Sequence, residues 1–355
     1  MAKFQFWLPT LNDLTRKQKR AIDSNDPIFL TGVPGTGKTV VSIYRLLNSD
    51  NALLLTYGKL LRKTIEEKIN DNSKKIMNIH KWLWDITKTE LDTNLNDQNI
   101  LQTINNLKVS KIKYNQILVD EGQDLSPNSY KLFDAISDEV SVSADEAQMV
   151  MDKGDGAKEQ DILDILPHLK VYELDEIFRS TYEMYNFARY FVPYNTRANS
   201  ENLLQRLQRD NSGADKPYVY LLNDLNDTFE VMQDIIDDNP TDNIGILLPS
   251  ISEVETYTKK LSDDYDVSSY HSGYSDVPEM LHNIIVTTLK SAKGIEFDIV
   301  ILPQAQNITD KMNEEYFVGA TRAKSELHIL SIQKEPEIFD KFDKNSYKII
   351  NRLEK

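Results

Sequence analysis

The sequence predicts an α/β protein built from two series of parallel strands, each covered by helices. Short runs rich in Val, Ile and Leu alternate with amphipathic stretches, a pattern typical of parallel sheets buried on both faces. The first series ends near Leu174 and the second begins near Tyr218. A glycine-rich turn of the phosphate-binding kind follows the first strand. We therefore expect two domains, residues 1–174 and 175–355.

The strands are predicted from apolar runs bounded by turn residues. They fall at 27–31, 52–56, 116–120, 140–144, 218–222, 244–248, 284–288, 299–302 and 327–331. Helical patterns lie between most of them. The polar segment 195–217 is predicted to be a solvated surface connection, with an extra helix as the alternative.

The composition excludes several classes of function. The 355 residues suffice for about two domains. No run of 18 apolar residues occurs, so we expect neither a membrane span nor a membrane partner, and the amino terminus does not resemble a secretion signal. Cysteine is absent, which excludes disulfides, cysteine nucleophiles and thiolate metal sites and fits a location in the reducing cytoplasm.

The net charge of −15 restricts how the chain can bind nucleic acid. Non-specific affinity for phosphates comes from Lys and Arg side chains that displace counterions. An acidic surface cannot do this as a whole, so any nucleic-acid site must be a local basic track. The other interpretation is that the acidity only keeps the protein soluble.

The turn "GVPGTGKT" has the spacing of a nucleotide-binding loop between a strand and a helix. Gly32, Gly35 and Gly37 let backbone N–H groups approach phosphate oxygens, and the following helix amino terminus favours an anion. Lys38 can reach the outer phosphates, and the Thr39 hydroxyl can bind Mg²⁺. The alternative is a glycine-rich turn without a ligand, which the strand–turn–helix context disfavours.

The stretch "ILVDEGQD" places Asp120 and Glu121 at the carboxyl end of an apolar strand, the edge at which open parallel sheets bind ligands. Asp120 can hold the same Mg²⁺ as Thr39, and Glu121 can polarise a water molecule for attack on the terminal phosphate. The alternative is an acidic turn. Together the two motifs predict an enzyme that binds a nucleoside triphosphate with Mg²⁺ and hydrolyses it.

Motifs in a fixed order between residues 11 and 332 resemble superfamily 1 helicases of the UvrD/Rep/PcrA type. The resemblance implies two RecA-like P-loop domains, ATP as the nucleotide, and single-stranded DNA or RNA as the partner. "LNDLTRKQKRAI" resembles the opening motif, which implies that Gln18 reads adenine. "DEGQD" differs from the family's usual "DEAQD" only at Gly122.

Two early segments resemble those that contact single-stranded nucleic acid in the family. In "LLLTYGKLLRK" the resemblance assigns this role to Thr56, Tyr57 and Lys59, and in "NIHKWLWDI" it assigns it to His80.

The later motifs resemble those that contact the nucleotide. "VSADEAQMV" implies that Gln148 contacts the outer phosphate. "LDEIFRS" implies a phosphate contact by Arg179 and stacking of Phe178 on the base.

In the second domain, "TTLKSAKGIEFDIVIL" implies that Gly294 and Glu296 lie near the phosphates and the ribose, and "EEYFVGATRAKSELHIL" implies that Arg322 is the arginine finger. The chain is shorter than the family's usual members, which implies a compact form without the large insertion subdomains.

The preferred hypothesis is an ATP-driven translocase or helicase-like motor on single-stranded DNA or RNA. The rival is a nucleotide-gated switch subunit of a multi-protein system, such as anti-phage defence, that acts with a nuclease or another protein and does not unwind duplex by itself. A nucleotide kinase or GTPase is disfavoured, because Gln18 and the arginine motifs would have no role there.

Overall fold

The computed structural model describes residues 2–33, 35–87, 102–105, 113–144, 156–176, 181–192, 204–205, 207–208, 212–274 and 276–353. The chain separates into two compact units, Phe6–Phe178 and Met1–Gln5 with Arg179–Lys355. We call them the first and the second unit.

The first unit contains a six-stranded sheet in which all neighbouring strands are parallel. Its strands are β1 Ile28–Gly32, β2 Ala52–Thr56, β3 Lys75–Asn78, β4 Tyr114–Val119, β5 Ser137–Ser143 and β6 Lys170–Leu174, in the order β3-β2-β4-β5-β1-β6. Its helices are α1 Arg16–Ile22, α2 Lys38–Asn48, α3 Lys59–Ile69, α4 Ile79–Thr87, α5 Pro127–Ile136 and α6 Glu159–Ile165.

Both faces of the first sheet are buried. Successive residues of a strand point to opposite faces, and those of β1 enter different apolar clusters. Phe29 packs in the large cluster that includes Trp82 and Phe133. Ile28 and Leu30 pack in a second cluster with residues of α1 and α2. This two-sided burial explains why the strand sequence is continuously apolar instead of alternating.

The second unit contains a seven-stranded parallel sheet in the order β13-β7-β12-β11-β8-β10-β9. Its strands are β7 Tyr218–Leu222, β8 Ile244–Leu248, β9 Val267–Tyr270, β10 Ile284–Thr288, β11 Phe297–Leu302, β12 Ala323–Ile332 and β13 Lys348–Asn351. Its helices are α7 Tyr182–Ala188, α8 Leu225–Asp238, α9 Ile251–Leu261 and α10 Asn313–Ala320.

The amino-terminal residues pack on the second unit. The backbone N–H of Phe4 donates to the Leu281 carbonyl, and its ring meets Phe297 edge-on at 5.9 Å. Gln5 and the Asn243 side chain exchange two hydrogen bonds of 3.0 Å. The chain therefore leaves the second unit after Gln5 and returns to it at Arg179.

The predicted α/β class with parallel sheets is confirmed. All nine predicted strands exist, and the described part of the chain contains four more, β3, β6, β9 and β13. No helix in that part has the length and apolarity that crossing a membrane requires.

Candidate nucleotide site and nucleic-acid surface

The phosphate loop joins the end of β1 to the start of α2, as predicted. Its glycines have the positive φ angles that favour glycine, 150° at Gly32, 81° at Gly35 and 83° at Gly37. A Cβ atom at Gly32 would lie 2.5 Å from the Leu174 carbonyl oxygen. The ammonium group of Lys38 donates to the Gly32 carbonyl at 2.5 Å, so it lies over the loop. The described glycines of this turn thus have the backbone conformations that only glycine adopts easily.

Gln18 ties α1 to this loop. Its Oε1 accepts from the backbone N–H of Thr15 at 2.9 Å, and its Nε2 donates to the Thr36 carbonyl at 3.0 Å. The side chain is buried, and a Cβ atom at Gly37 would lie 2.4 Å from its Nε2. Gln18 therefore fixes the loop's position, and its reading of adenine stays a prediction.

Thr39 and Asp120 meet, although 81 positions separate them in the chain. Thr39 Oγ1 donates to Asp120 Oδ2 at 2.9 Å. Burial raises the pKa of Asp120 to about 6, and the neighbouring charge of Glu121 acts in the same direction. The hydroxyls of Ser143 and Thr39 and the charge of Lys38 oppose this rise. A buried carboxylate with a raised pKa is an anionic site that a cation would stabilise.

The oxygen donors of Thr39 and Asp120 suit Mg²⁺, a hard cation usually held by one or two protein ligands together with phosphate oxygens and waters. Among the described residues no group of three or more His, Asp or Glu side chains could form a metal cage. Thr39 and Asp120 thus offer two oxygen ligands of the kind that Mg²⁺ takes in proteins.

Glu121 has an unusual backbone conformation beside this pair. Its φ is 56°, in the left-handed region that non-glycine residues rarely occupy. It precedes a short 3-10 turn, Gly122–Asp124, and its Oε2 accepts from Gln123 Nε2 at 2.7 Å. Such strain is of order 1–3 kcal/mol and clusters at functional sites. The turn directs the chain away from the sheet at the point where the predicted water-activating carboxylate stands.

The predicted nucleic-acid residues gather at the carboxyl ends of β2 and β3. The rings of Tyr57 and His80 meet edge-on with their centroids 5.0 Å apart. Asn78 Nδ2 donates to the Tyr57 carbonyl at 2.6 Å, which fixes one strand end to the other. Thr56 is buried, and Lys59 begins α3.

The His80 imidazole has a lowered pKa. Its side chain reaches the surface, but desolvation by the surrounding protein lowers the pKa, and the charge of Lys59 lowers it further. Both effects disfavour the charged form of the ring beside Tyr57.

In the second unit, Gly294 has a φ of 84° and Glu296 is half-buried, both between β10 and β11. Arg322 is almost fully buried, and its Nε donates to the Val318 carbonyl at 3.1 Å. Its Nη2 donates to the Thr321 hydroxyl at 3.3 Å. The predicted nucleotide contacts of all three stay predictions. Gln148, Phe178 and Arg179 lie outside the described residues.

Sequence reasoning missed three residues that hold the site together. Ser143 Oγ donates to Asp120 Oδ1 at 2.7 Å. Asn78 holds Tyr57, and Gln123 holds Glu121. Each stands at or just beyond the carboxyl end of a strand, where a polar side chain is buried. A polar residue at the end of an apolar strand was the sequence signal that could have identified these residues.

Comparison with known proteins supports the fold and the nucleotide loop. Residues 18–152 match the AAA domain family. No curated protein matches the chain. The structure of Dbp5 from S. cerevisiae, bound to RNA and ADP with BeF3, is 14% identical with a TM-score of 0.56, and the match covers 96% of this chain and 90% of that one. At this identity the likeness shows the fold alone.

Two further structures have lower TM-scores. One is from a study of DNA unwinding at forked duplex DNA by two Pif1 helicases, 14% identical with a TM-score of 0.49, covering 89% of this chain and 91% of that one. The other is the C-terminal domain of a candidate DNA helicase from Lactobacillus plantarum WCFS1. It is 20% identical with a TM-score of 0.37, and the match covers 48% of this chain and 98% of the other.

The AAA match includes the loop with Lys38 and the strand end with Asp120, and the two parallel sheets correspond to RecA-like domains. Residues 18–152 therefore match an AAA domain, and the chain as a whole shares its fold with the Dbp5 structure.

Proposed function

We propose that the protein is an ATPase that binds single-stranded DNA or RNA and moves along it, with the motif set of the UvrD/Rep/PcrA type. The observation that carries this proposal is the hydrogen bond of 2.9 Å between Thr39 and Asp120. This bond joins the phosphate loop to the acidic strand end. Glu121 follows Asp120 directly in the chain and so lies beside the same pair. A glycine-rich turn or an acidic turn without a ligand would not require this meeting.

Each residue of the proposed site has a distinct task in phosphoryl transfer. The loop N–H groups and Lys38 would bind the phosphates, and Thr39 and Asp120 would hold Mg²⁺, which would supply positive charge to the phosphoryl group. Glu121 orients the attacking water and accepts its proton as the bond from water oxygen to phosphorus forms. The bond to the leaving ADP oxygen breaks on the opposite side of the phosphorus.

The arginines complete the proposed mechanism. Negative charge spreads over the phosphoryl oxygens in the transition state, and a guanidinium group placed beside them stabilises it. We assign this task to Arg322 and Arg179, and we assign the detection of the outer phosphate to Gln148. Gln18 and Phe178 hold the adenine base, and Gly294 and Glu296 approach the phosphates and ribose.

The sheet order supports a connection between the nucleotide and the strand. Because all neighbouring strands are parallel, their carboxyl ends lie at one edge of the sheet. At this edge β5 lies between β1, which leads into the phosphate loop, and β4, which is followed by Asp120. The next strands along this edge are β2 and β3. Tyr57 follows β2, and His80 lies at the start of α4, directly after β3. The backbone N–H of Asp120 donates to the Leu55 carbonyl in β2 at 2.9 Å. A movement of Asp120 would therefore act on the strand end that precedes Tyr57.

The test is the rate of ATP hydrolysis with and without single-stranded DNA, single-stranded RNA and duplex oligomers. Single strands should raise the rate, and the increase should fall steeply with salt because the contacts release counterions. Equal rates with every nucleic acid and with none would contradict the motor and favour the nucleotide-gated switch.

The matched variants are Glu121→Gln and Glu230→Gln. The first should abolish turnover and retain ATP binding, because the amide keeps the shape of the side chain but cannot accept the proton. The second changes an exposed carboxylate on α8 and should leave turnover unchanged. A near-normal rate in Glu121→Gln would remove this residue from its assigned role.

A further inference from the structure

Both carboxylate oxygens of Asp120 accept hydrogen bonds from hydroxyl groups. Thr39 donates to Oδ2 at 2.9 Å, and Ser143 donates to Oδ1 at 2.7 Å. Hydrogen bonds from a hydroxyl to an ionised carboxylate are short and roughly twice as strong as neutral ones. The two donors come from different elements, since Thr39 belongs to α2 and Ser143 is the last residue of β5.

The sheet fixes the position of Ser143. Strand β5 lies between β1 and β4, and Val142 pairs with Phe29 on one side and Val119 on the other. Ser143 itself pairs with Leu30 and is only 2% exposed. The hydroxyl thus stands between the strand that leads into the phosphate loop and the strand that ends in the metal carboxylate.

The single proton of the Ser143 hydroxyl is directed to Asp120. Two other oxygens are near, the Val119 carbonyl at 3.3 Å and the Ser42 hydroxyl at 3.5 Å. Both are farther away than Asp120 Oδ1 at 2.7 Å and carry less negative charge than a carboxylate. The bond therefore holds one carboxylate oxygen toward β5 and leaves the other facing Thr39.

We propose that Ser143 is a positioning residue that orients the Asp120 carboxylate for the divalent cation. Its role would be indirect, because its hydroxyl donates to Asp120 Oδ1. The Thr39 hydroxyl and Asp120 Oδ2 would be the ligands of the cation, and the bond from Ser143 would hold the carboxylate in place. The inference rests on the proposed function, because it assumes that Asp120 serves the metal of an ATP site.

The experiment measures divalent-cation affinity without catalysis. A non-hydrolysable ATP analogue is bound to the protein, and Mn²⁺ is titrated with its binding followed by electron paramagnetic resonance. Ser143→Ala should lower the Mn²⁺ affinity about 10–100-fold, the usual effect of losing a residue that orients a metal ligand. Affinity for the analogue without metal should stay unchanged.

Ser141→Ala is the matched control. Ser141 lies two residues earlier in β5, is also buried, and accepts a hydrogen bond from the backbone N–H of Ile28 at 3.1 Å. Its loss should leave Mn²⁺ affinity unchanged, because it does not contact Asp120. Ser143→Thr and Ser143→Val add a second comparison at similar volume, in which only the threonine retains the hydroxyl and should retain the affinity.

The outcomes separate the two proposals. If the unaltered protein binds the analogue and Mn²⁺, and the variants without the Ser143 hydroxyl bind Mn²⁺ equally well, the positioning role is overturned and the ATP site stands. If the unaltered protein binds no analogue, the proposed function fails and the inference fails with it.

Discussion

The glycine in "DEGQD" has a steric cause, and the substitution Gly122→Ala tests it. A Cβ atom at this position would lie 2.6 Å from the Tyr130 hydroxyl and 2.6 Å from Cγ1 of Val142. Both side chains are fully buried, so neither can move into solvent. The Tyr130 hydroxyl also donates to the Gly122 carbonyl at 2.6 Å, which places it beside the added methyl group. Alanine therefore does not fit at position 122 beside this tyrosine.

The expected magnitude follows from two effects. Overpacking a buried site costs ~1–3 kcal/mol, and displacing the Tyr130 hydroxyl weakens a hydrogen bond worth ~1 kcal/mol. We expect a loss of about 2–4 kcal/mol of unfolding free energy in the first unit. The variant Tyr130→Phe loses only the hydrogen bond and vacates part of the space. The double variant should therefore be more stable than the sum of the two single effects predicts.

The assay is urea denaturation followed by tryptophan fluorescence. The three tryptophans of the chain, Trp7, Trp82 and Trp84, all belong to the first unit, so their signal reports this unit alone. Additive single effects in the double variant, or a change within ~0.5 kcal/mol for Gly122→Ala, as at a surface site, would refute the reasoning.

Three further predictions concern the two parts of the site. Folding raises the pKa of Asp120 from about 3.9 to about 6, so the metal-free protein loses stability as pH rises through this window, by at most ~3 kcal/mol. Asp120→Asn should remove this loss in urea titrations from pH 4 to 7, and parallel curves for variant and unaltered protein would contradict it. Lys59→Ala should reduce the steepness with which oligomer affinity falls with salt, by about 1 in the slope of log affinity against log salt concentration. Lys63→Ala is the control, since Lys63 lies one turn later in α3 and pairs with Glu67, and it should not change the slope. Equal slopes for Lys59→Ala and the unaltered protein would exclude Lys59 from the phosphate contact. Tyr57→Ala should weaken oligomer binding by ~1–3 kcal/mol if a base packs on the ring, measured by fluorescence anisotropy, and unaltered affinity would exclude the ring from the surface.

The four strands that the sequence did not reveal are the four sheet edges. They are β3 and β6 in the first sheet and β9 and β13 in the second. An edge strand has a neighbour on one side only, and its sequence carries polar residues accordingly, as in "KIMN" and "KIIN". The interior strands are buried on both faces and therefore have the apolar runs that periodicity detects. Whether a strand lies at the edge or in the interior of its sheet thus determines whether its sequence is apolar enough to be predicted.

The nucleotide site was predictable to the extent that its chemistry follows from local spacing. The phosphate loop and the pair Asp120 and Glu121 are contiguous motifs, so the sequence alone predicts their roles. Ser143 and Asn78 act through contacts across strands. Their only sequence signal is a polar residue at the end of a strand, which does not indicate the partner that each contacts. The burial of Arg322 against Val318 also depends on tertiary packing, which motif order does not encode.

The central claim is that the nucleotide state changes the grip on a single strand. The most direct measurement is the affinity of Glu121→Gln for one fluorescent single-stranded oligomer, first with ATP and then with ADP, at fixed salt. Because this variant should bind ATP without hydrolysing it, each state can be held at equilibrium. We expect clearly different affinities in the two states. Equal affinities, with both nucleotides shown to be bound, would contradict it.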